Sequence, residues 1–363
     1  MLASLLVNLG LVTLAASPIS ALAFPGAVGF GSIATGGTGG TSYVVTNLND
    51  SGSGSFRDAV SESNRIITFA VSGYIVLESA VSLSSDLTIN GTTAPSPGIG
   101  VMAGEVSASD QSNIIIVGMR FRQGSDDPDT GKSAFNMGDA ANVILDHCSF
   151  AYGQWDTVDA VGAVNITLSN SIIAFPIYQQ FGAHVETGPA TYFGNLWVSA
   201  HNRQPLAKSN TQYINNVIYN YQAAYTTADT SGSFYHDIIN NYFITGPSTS
   251  SASDRYYQIQ SNQYAYASGN YGDATNDGVL NGAQENEIGS ATVLSSPWSS
   301  TSTSMVKWTA AEAVTNVLAS AGALPHDQVD ALAITQVQSY GTQGELYGDQ
   351  SDTGLSNGGY GTL

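Results

Sequence analysis

Short runs of hydrophobic residues recur along the middle of the chain. Each run is a strand of β-branched and aromatic residues, then a polar corner and another short strand, and six of them begin at Asn113, Asn142, Asn165, Ala190, Thr211 and Tyr235. One column of the aligned runs contains, at steps of 21 to 25 residues, His147, Asn170, Asn195, Asn216 and Asn241. A period of about 20–30 residues without helical spacing is typical of a β-solenoid.

The corners of such a solenoid explain the polar column. Asparagine tolerates the left-handed backbone conformation that a sharp corner requires. Asparagines stacked in successive coils can also hydrogen-bond to one another, which satisfies polar groups that are buried. A β-sandwich with Asn-rich turns is the alternative, but the strands of a β-sandwich recur about every 8–12 residues. We therefore predict an all-β fold, a single-stranded right-handed parallel β-helix.

The two flanks of the repeat predict caps for the solenoid. Residues 24–60 are rich in glycine and contain a candidate short helix over 56–63, and we expect them to cover a sheet edge that would otherwise be exposed. A capping-box pattern at Thr309 and Glu312 precedes apolar residues at helical spacing, so we predict one helix over 309–322 that packs on the coils. We expect a single domain over 24–350 and a flexible tail over 351–363.

The first residues of the chain predict a secretory signal peptide. An apolar run is followed by Ala21-Leu22-Ala23, a pattern of small residues that is typical of a cleavage site. Asn8, Ser17 and Pro18 interrupt the run, which disfavours a membrane anchor. We predict that residues 1–23 are removed and that the mature protein is extracellular and not bound to a membrane.

Composition and charge limit the partners of the protein. The 363 residues include 28 Asp and Glu against 9 Lys and Arg, a net charge of -19, which disfavours a nucleic-acid partner. Cys148 is the only cysteine, so no intrachain disulfide can form, and its apolar neighbours favour a place in the core. Asn49, Asn90 and Asn165 lie in sequons and are candidate glycosylation sites. We expect a monomer.

Four phrases are long enough to suggest a family. They are F-P-G-A-V-G-F-G at 24–31, V-T-N-L-N-D-S-G-S-G-S-F-R-D-A-V at 45–60, N-V-I-L-D-H-C-S at 142–149 and N-N-V-I-Y-N at 215–220. Together they resemble the microbial secreted branch of polysaccharide lyase family one, which contains pectate and pectin lyases. The resemblance implies a right-handed parallel β-helix, in agreement with the repeat. It also implies β-elimination on polygalacturonate, pectin or a related cell-wall polyuronate, a reaction that needs a base for the C5 proton and a positive charge beside the carboxylate.

Two of the few basic residues lie in the segment from His201 to Lys208. This segment stands where the family has the pattern R-x-P-x-x-R, so the resemblance implies that Arg203 is the catalytic base. Lys208 takes the place of the second arginine and can hold a carboxylate as a point charge, without the planar fork of arginine. His201 is a further candidate for contact with the substrate. His184 and His236 fall on neighbouring coils and could line the same cleft.

The family's calcium-binding positions are altered in this chain. The resemblance places Ser133 and Trp155 where acidic ligands are expected, and neither can supply the charge that calcium requires. The remaining candidate ligands are Asp139, Asp156 and Asp159.

Three interpretations remain open. Calcium could bind a rearranged site through those three aspartates. A cation such as Lys132 could replace it, as in calcium-independent pectin lyases, with Trp155 as part of an aromatic cleft. The site could also be degraded, which would leave a protein that only binds glycans. A glycoside hydrolase on the same fold is a further alternative, but the N-T-D and R-I-K phrases of polygalacturonases are absent.

Overall fold

The computed structural model describes residues 22–363, which form a parallel β-solenoid of about 10 turns. The predicted parallel β-helix is therefore confirmed. The predicted signal peptide falls mostly on residues 1–21, which lie outside the described residues. Within 22–363, the helices are all too short or too polar to cross a membrane.

The strands of the described residues are, in chain order, β1 (Thr41–Val45), β2 (Arg65–Phe69), β3 (Gly73–Val76), β4 (Val81–Ser82), β5 (Leu87–Asn90), β6 (Ile99–Met102), β7 (Val106–Ser107), β8 (Ser112–Val117), β9 (Arg120–Arg122), β10 (Phe135–Asn136), β11 (Ala141–Asp146), β12 (Ser149–Ala151), β13 (Asp156–Ala160), β14 (Val164–Ser169), β15 (Ile172–Ala174), β16 (Phe181–Phe193), β17 (Leu196–Val198), β18 (Leu206–Ile214), β19 (Val217–Tyr219), β20 (Tyr225–Thr226), β21 (Tyr235–Ile239), β22 (Tyr242–Ile244), β23 (Tyr256–Tyr257), β24 (Tyr264–Ser268), β25 (Tyr271–Asp273), β26 (Ala283–Gln284) and β27 (Thr292–Val293). The α-helices are α1 (Phe56–Val60), α2 (Ser300–Ser304), α3 (Ala310–Ser320) and α4 (Gln328–Gln338). Short 3₁₀ helices span Phe30–Ile33, Gly91–Thr93, Ala252–Arg255, Gln350–Thr353 and Asn357–Gly359.

These strands stack in three parallel columns. The first column contains β1, β2, β5, β8, β11, β14, β21, β24 and β27, and the second contains β4, β7, β10, β13, β20 and β23. The long strands β16 and β18 run through both columns, with an irregularity between Thr187 and Ala190. The third column contains β3, β6, β9, β12, β15, β17, β19, β22 and β25, and the antiparallel β26 ends it. Parallel pairing places equivalent side chains of successive coils beside one another, about 4.8 Å apart.

Inward-pointing side chains fill the solenoid with one continuous core. Phe121 stacks on Phe150 with ring centroids 5.2 Å apart, and Phe135 meets Phe121 edge-on at 5.0 Å. Cys148 is buried in this core, as its sequence neighbours predict, and burial raises the pKa of its thiol to about 12. A thiol in that environment is a packing group and not a nucleophile.

The predicted asparagine column is in fact two adjacent columns. In the inner column, Asn195, Asn216, Asn241 and Asn270 are linked from coil to coil. The backbone N–H and the side-chain amide of each donate to Oδ1 of the next, at 2.8–3.1 Å. Ser171 precedes Asn195 in this column: its N–H donates to Oδ1 of Asn195, and its hydroxyl accepts the N–H of Cys148 at 3.0 Å. The buried amides thereby satisfy one another, as predicted.

His147 and Asn170 were aligned with this inner column, but they belong to the outer corner. Both have a φ of 47°, and Asn215 and Asn240 have φ values of 57° and 54° at the same corner of later coils. Gly194 occupies this corner between them, with a φ of 66°. The alignment was therefore wrong by one residue in two coils, because asparagine suits both the corner and the interior.

Helices cover the solenoid much as the flanks predict. The Ser55 side chain accepts the N–H of Asp58 and begins α1, whose Phe56 is buried over the first coils. The predicted C-terminal helix is α3, and its capping box between Thr309 and Glu312 is present. A second helix, α4, packs beside it on the third column. The prediction of one helix missed α4, because its buried face mixes apolar residues with Asp330.

The predicted flexible tail over 351–363 is instead packed against the solenoid. The Tyr360 side chain is buried, and its hydroxyl donates to the carbonyl of Gln123 at 3.0 Å. The N–H of Gln328, at the start of α4, donates to the carbonyl of Thr362 at 3.1 Å. The Gly- and Ser-rich composition suggests a loose segment, but one aromatic anchor and these hydrogen bonds fix it.

Candidate active site

Six ionisable side chains meet on the second column, and we call them the charged cluster. They are Asp156 and Asp159 on β13, His184 and Glu186 on β16, Lys208 on β18, and Arg203 in the turn before β18. The register of the strands explains the meeting, since Asp159 pairs with His184 and Glu186 pairs with Lys208. Alternate residues of a strand point to the same face, so Asp159, His184, Glu186 and Lys208 share the outer face. Asp156 is out of phase with Asp159 at the start of β13, and it joins the cluster through its ion pair with Arg203.

Arg203 is held by an ion pair and two aromatic rings. Its Nη1 lies 2.8 Å from Oδ2 of Asp156, and its guanidinium carbon lies 3.8 Å from the Phe181 ring centre and 5.8 Å from that of Trp155. A planar guanidinium stacks well on aromatic faces. The φ of Arg203 is 63°, a strained value of the kind that concentrates at functional sites. A Cβ at Gly182 would lie 2.4 Å from the Arg203 carbonyl oxygen, so glycine permits this close approach.

Asp156 is a fully buried carboxylate with one oxygen free. Arg203 occupies Oδ2, whereas Oδ1 has no hydrogen-bond partner within residues 22–363. Burial raises the pKa of Asp156 to about 7, against the opposing charge of Arg203. Burial also raises the pKa of Asp159. One donor atom from each of Asp156, Asp159 and His184 lies within 4.8 Å of the other two, so the three could hold a metal ion.

His184 lies at the centre of the cluster as a neutral imidazole. Burial lowers its pKa to about 4, and the charges of Arg203 and Lys208 act in the same direction. Its Nδ1 is 3.8 Å from Oδ2 of Asp156, and its Nε2 is 3.0 Å from Oε1 of Glu186. The same Glu186 oxygen accepts a hydrogen bond from Nζ of Lys208 at 2.8 Å, which lowers the pKa of Glu186. The Asp156 carboxylate therefore contacts both His184 and Arg203, and the Glu186 carboxylate contacts both His184 and Lys208.

The structure brings together four of the predicted site residues and leaves one apart. Arg203, Lys208, Asp156 and Asp159 all belong to the charged cluster. Asp139 does not belong to the metal-binding group, since it is an exposed residue at the corner that follows β10. The rearranged site predicted from three aspartates thus contains two of them and gains a histidine.

The remaining candidates lie at the rim or elsewhere. Trp155 is 44% exposed and meets Phe181 edge-on, with ring centroids 5.9 Å apart. His201 is exposed and stacks on the same Phe181 ring at 6.3 Å. Lys132 is exposed, and its carbonyl accepts the N–H of Trp155 at 3.0 Å. His236 does not line the cleft, because it is fully buried.

Three residues near the site carry no sequence motif. Glu186 follows His184 by two positions, so the alternation of a strand could have located it. Phe181 becomes significant only when the register places it under the Arg203 guanidinium. Glu105 is buried, and its Oε2 accepts the N–H of Ser133 at 3.0 Å, so the coil before supplies a carboxylate beside the serine. Burial raises the pKa of Glu105, which the Ser133 hydrogen bond opposes.

Known proteins place the chain in a family. No family profile matches the sequence. The probable pectate lyase C of Neosartorya fischeri is 39% identical over 371 residues, which cover 99% of this chain and 86% of that protein. The probable pectate lyase C of Emericella nidulans is 40% identical and covers 95% of this chain and 83% of its own length. The chain belongs to the pectate lyase family.

A solved pectate lyase has the same fold. The pectate lyase Bsp165PelA from Bacillus sp. N165, in complex with trigalacturonate, aligns with a TM-score of 0.55 over 82% of this chain and 98% of its own, at 18% identity. The resemblance to polysaccharide lyase family one is thus confirmed. As a member of the pectate lyase family, the protein is a polysaccharide lyase.

The donor set fits calcium poorly, although the pectate lyase family implies that ion. Calcium takes six to eight oxygen ligands, several of them from carboxylates. Among the residues that the structure describes, the metal-binding group offers the carboxylates of Asp156 and Asp159 and an imidazole nitrogen of His184. One carboxylate oxygen of Asp156 is already paired with Arg203.

Proposed function

We propose that the protein is an extracellular lyase that cleaves polygalacturonate or a related pectin-type polyuronate by β-elimination. The observation that supports this most strongly is the meeting of Arg203 and Lys208 with the carboxylates of Asp156 and Glu186 on the second column. The relatives named pectate lyase, which align over nearly the whole chain, support the same substrate class. An acidic polysaccharide is therefore the proposed partner.

Arg203 is the proposed base. The Phe181 face and the Asp156 carboxylate orient its guanidinium, whose side chain is 19% exposed. The proton that Arg203 must first release passes to water, which reaches the exposed part of its side chain. Neutral Arg203 then removes the C5 proton. The electron pair forms the C4–C5 double bond while the bond to the C4 oxygen breaks. That oxygen takes the proton that water received from Arg203, and Arg203 ends protonated by the C5 proton, so the net transfer is from C5 to oxygen.

Basic and aromatic side chains are proposed to hold the substrate. Lys208 is placed to bind a uronate carboxylate, because Glu186 fixes its ammonium group at 2.8 Å. Sugar rings can stack on the exposed indole of Trp155, with His201 and Lys132 at the rim of the same face. Aromatic faces bind the apolar face of a sugar ring while its hydroxyl groups stay in water.

Secretion, glycosylation and a monomeric state are further proposals. Residues 1–23 would direct the enzyme to the cell exterior as a signal peptide and would then be removed. Asn49 is exposed and Asn90 is partly exposed, so both can accept a glycan. Asn165 differs, because its side-chain amide donates to Oδ1 of Asn142 at 3.1 Å, and a glycan there would require this hydrogen bond to break.

The test is to incubate the purified protein with polygalacturonate and with methyl-esterified pectin, each with and without a chelator. Elimination creates a double bond conjugated to the carboxylate, so we expect ultraviolet absorbance to rise with the reducing ends. Arg203→Lys should abolish this increase, whereas Arg255→Lys, which changes an arginine paired with Glu285 outside the charged cluster, should keep it. Reducing ends without absorbance would indicate a hydrolase, and binding without either product would indicate a degraded site.

A further inference from the structure

The charged cluster contains more acid than base. Asp156, Asp159 and Glu186 supply three carboxyl groups beside the two cations of Arg203 and Lys208. The chain as a whole has a net charge of -19, so long-range attraction cannot gather an anionic substrate. The cluster therefore offers a polyuronate no excess of cations over carboxyl groups.

One oxygen of the cluster has no protein partner among residues 22–363. Asp156 is fully buried, and within that range its Oδ1 accepts no hydrogen bond. The imidazole of His184 lies beside it, with Nδ1 at 3.8 Å from Oδ2 of Asp156 and Nε2 at 3.0 Å from Oε1 of Glu186. A buried carboxylate oxygen without a partner is costly, and such groups are rare in folded proteins. Because Arg203 pairs with the other oxygen of Asp156, the free oxygen can face a ligand while the ion pair stays intact.

The donor types indicate which cation would fit. One donor atom from each of Asp156, Asp159 and His184 lies within 4.8 Å of the others. Imidazole binds first-row transition metals well, whereas calcium prefers oxygen ligands only. Mn²⁺ also accepts carboxylates readily, so it suits a set of two carboxylates and one nitrogen.

We infer that Asp156, Asp159 and His184 bind a first-row divalent cation such as Mn²⁺ in preference to calcium. The ion would reverse the charge of the cluster and leave coordination positions open on the outer face. A role of this ion in holding the substrate rests on the proposed function, but the binding of the ion does not. His184 is then a metal ligand in place of the third aspartate that the sequence suggests.

Calorimetric titration of the full-length, chelator-treated protein with Mn²⁺ and with Ca²⁺, in the absence of polysaccharide, tests this inference. We expect one Mn²⁺ per chain and binding of Ca²⁺ at least tenfold weaker. His184→Asp replaces the nitrogen by a carboxylate and should shift the preference tenfold or more toward Ca²⁺. Asp139→Asn is the matched control and should leave Mn²⁺ binding unchanged. Equal affinity for the two ions, no binding of Mn²⁺, or a loss in the Asp139 variant would overturn the inference.

A second measurement covers the case in which His184→Asp does not fold. In the unaltered protein, bound Mn²⁺ should broaden the imidazole NMR signals of His184 before those of His236, and equal broadening would overturn the assignment. The lyase assay is run separately on the same preparation. Elimination products without Mn²⁺ binding would reject the metal site alone, and Mn²⁺ binding without elimination would reject the proposed function alone.

Discussion

The molecule contains two arginine–aspartate clusters with opposite properties. On the third column, Arg120 and Arg122 face Asp327 and Asp330 beneath α4, with Nη2 of Arg122 at 3.0 Å from Oδ2 of Asp327 and 2.7 Å from Oδ1 of Asp330. These side chains are almost completely buried, and the two cations balance the two carboxylates. We call this group the sealed cluster.

On the second column, the charged cluster is neither balanced nor sealed. Arg203 is 19% exposed, and the carboxylates outnumber the cations. The same residue types can therefore fasten a helix to the solenoid or form a reactive site. Charge balance and access to solvent distinguish the two roles.

The largest expected effect is on activity at the charged cluster. Arg203→Lys removes the proposed base and its stacking on Phe181, so kcat/KM on polygalacturonate should fall by about 10²–10⁴, the usual contribution of a general base. The melting temperature should change little. A variant that keeps more than half of the activity would contradict the role of Arg203.

The next effect is on stability at the sealed cluster. Arg122→Met leaves two buried carboxylates short of a partner, which should lower the free energy of unfolding by about 3–5 kcal/mol in denaturant titrations. Activity per folded molecule should persist. The double change Arg122→Met with Asp330→Leu removes a charge of each sign and should recover most of the loss. If Arg122→Met alone lowered the free energy of unfolding by less than an ordinary surface substitution does, the sealed cluster would not fasten α4 to the solenoid.

A third effect is on the pH dependence of stability, and it concerns a buried group outside both clusters. Burial lowers the pKa of His236 from 6.5 to about 4, so its neutral form is favoured in the folded state. The stability that this pKa difference contributes is fully present above pH 6.5 and is lost as the pH falls toward 4. His236→Gln should remove an acid-dependent loss of roughly 3 kcal/mol. Urea titrations at several pH values should show the two proteins diverge only below pH 6.5; parallel curves would argue against a neutral buried imidazole.

The smallest effect is expected in the neutral asparagine ladder. Asn216→Ala leaves the buried N–H of Asn195 without its acceptor, which should cost about 1–3 kcal/mol of unfolding free energy without changing kcat. Gln260→Ala, which truncates an exposed amide side chain, is the control and should have no effect on the melting temperature. Equal stability of the two variants would mean that the ladder contributes nothing beyond an ordinary exposed amide.

The solenoid was predictable because every coil repeats the same physical requirements. Left-handed corners and buried amides select asparagine, so the period is visible in the sequence. The sequence does not reveal that His147 and Asn170 belong to the corner column, one residue before the inner column, because asparagine occurs in both columns. Likewise α4 was missed, because its buried Asp330 is explained only by Arg122 of a distant coil.

The sequence predicts the site residues that lie in one local motif, but it does not predict those that neighbouring coils bring together. Arg203 and Lys208 lie in one short motif, and the structure places both in the cluster. Glu186 and Phe181 contribute through strand register, which the repeat alone does not fix to one residue. Asp139 was a candidate ligand by its position in the sequence, but its corner carries it away from Asp156.

The fate of oxygen during the cleavage of polygalacturonate tests the central claim most directly. The protein is incubated with polygalacturonate in water enriched in a heavy oxygen isotope, and the masses of the fragments are measured by mass spectrometry. Elimination by the charged cluster predicts fragments with one unsaturated end and no heavy oxygen introduced by cleavage, after correction for exchange at the reducing end. Saturated fragments that carry one heavy oxygen from water would show hydrolysis and contradict the account.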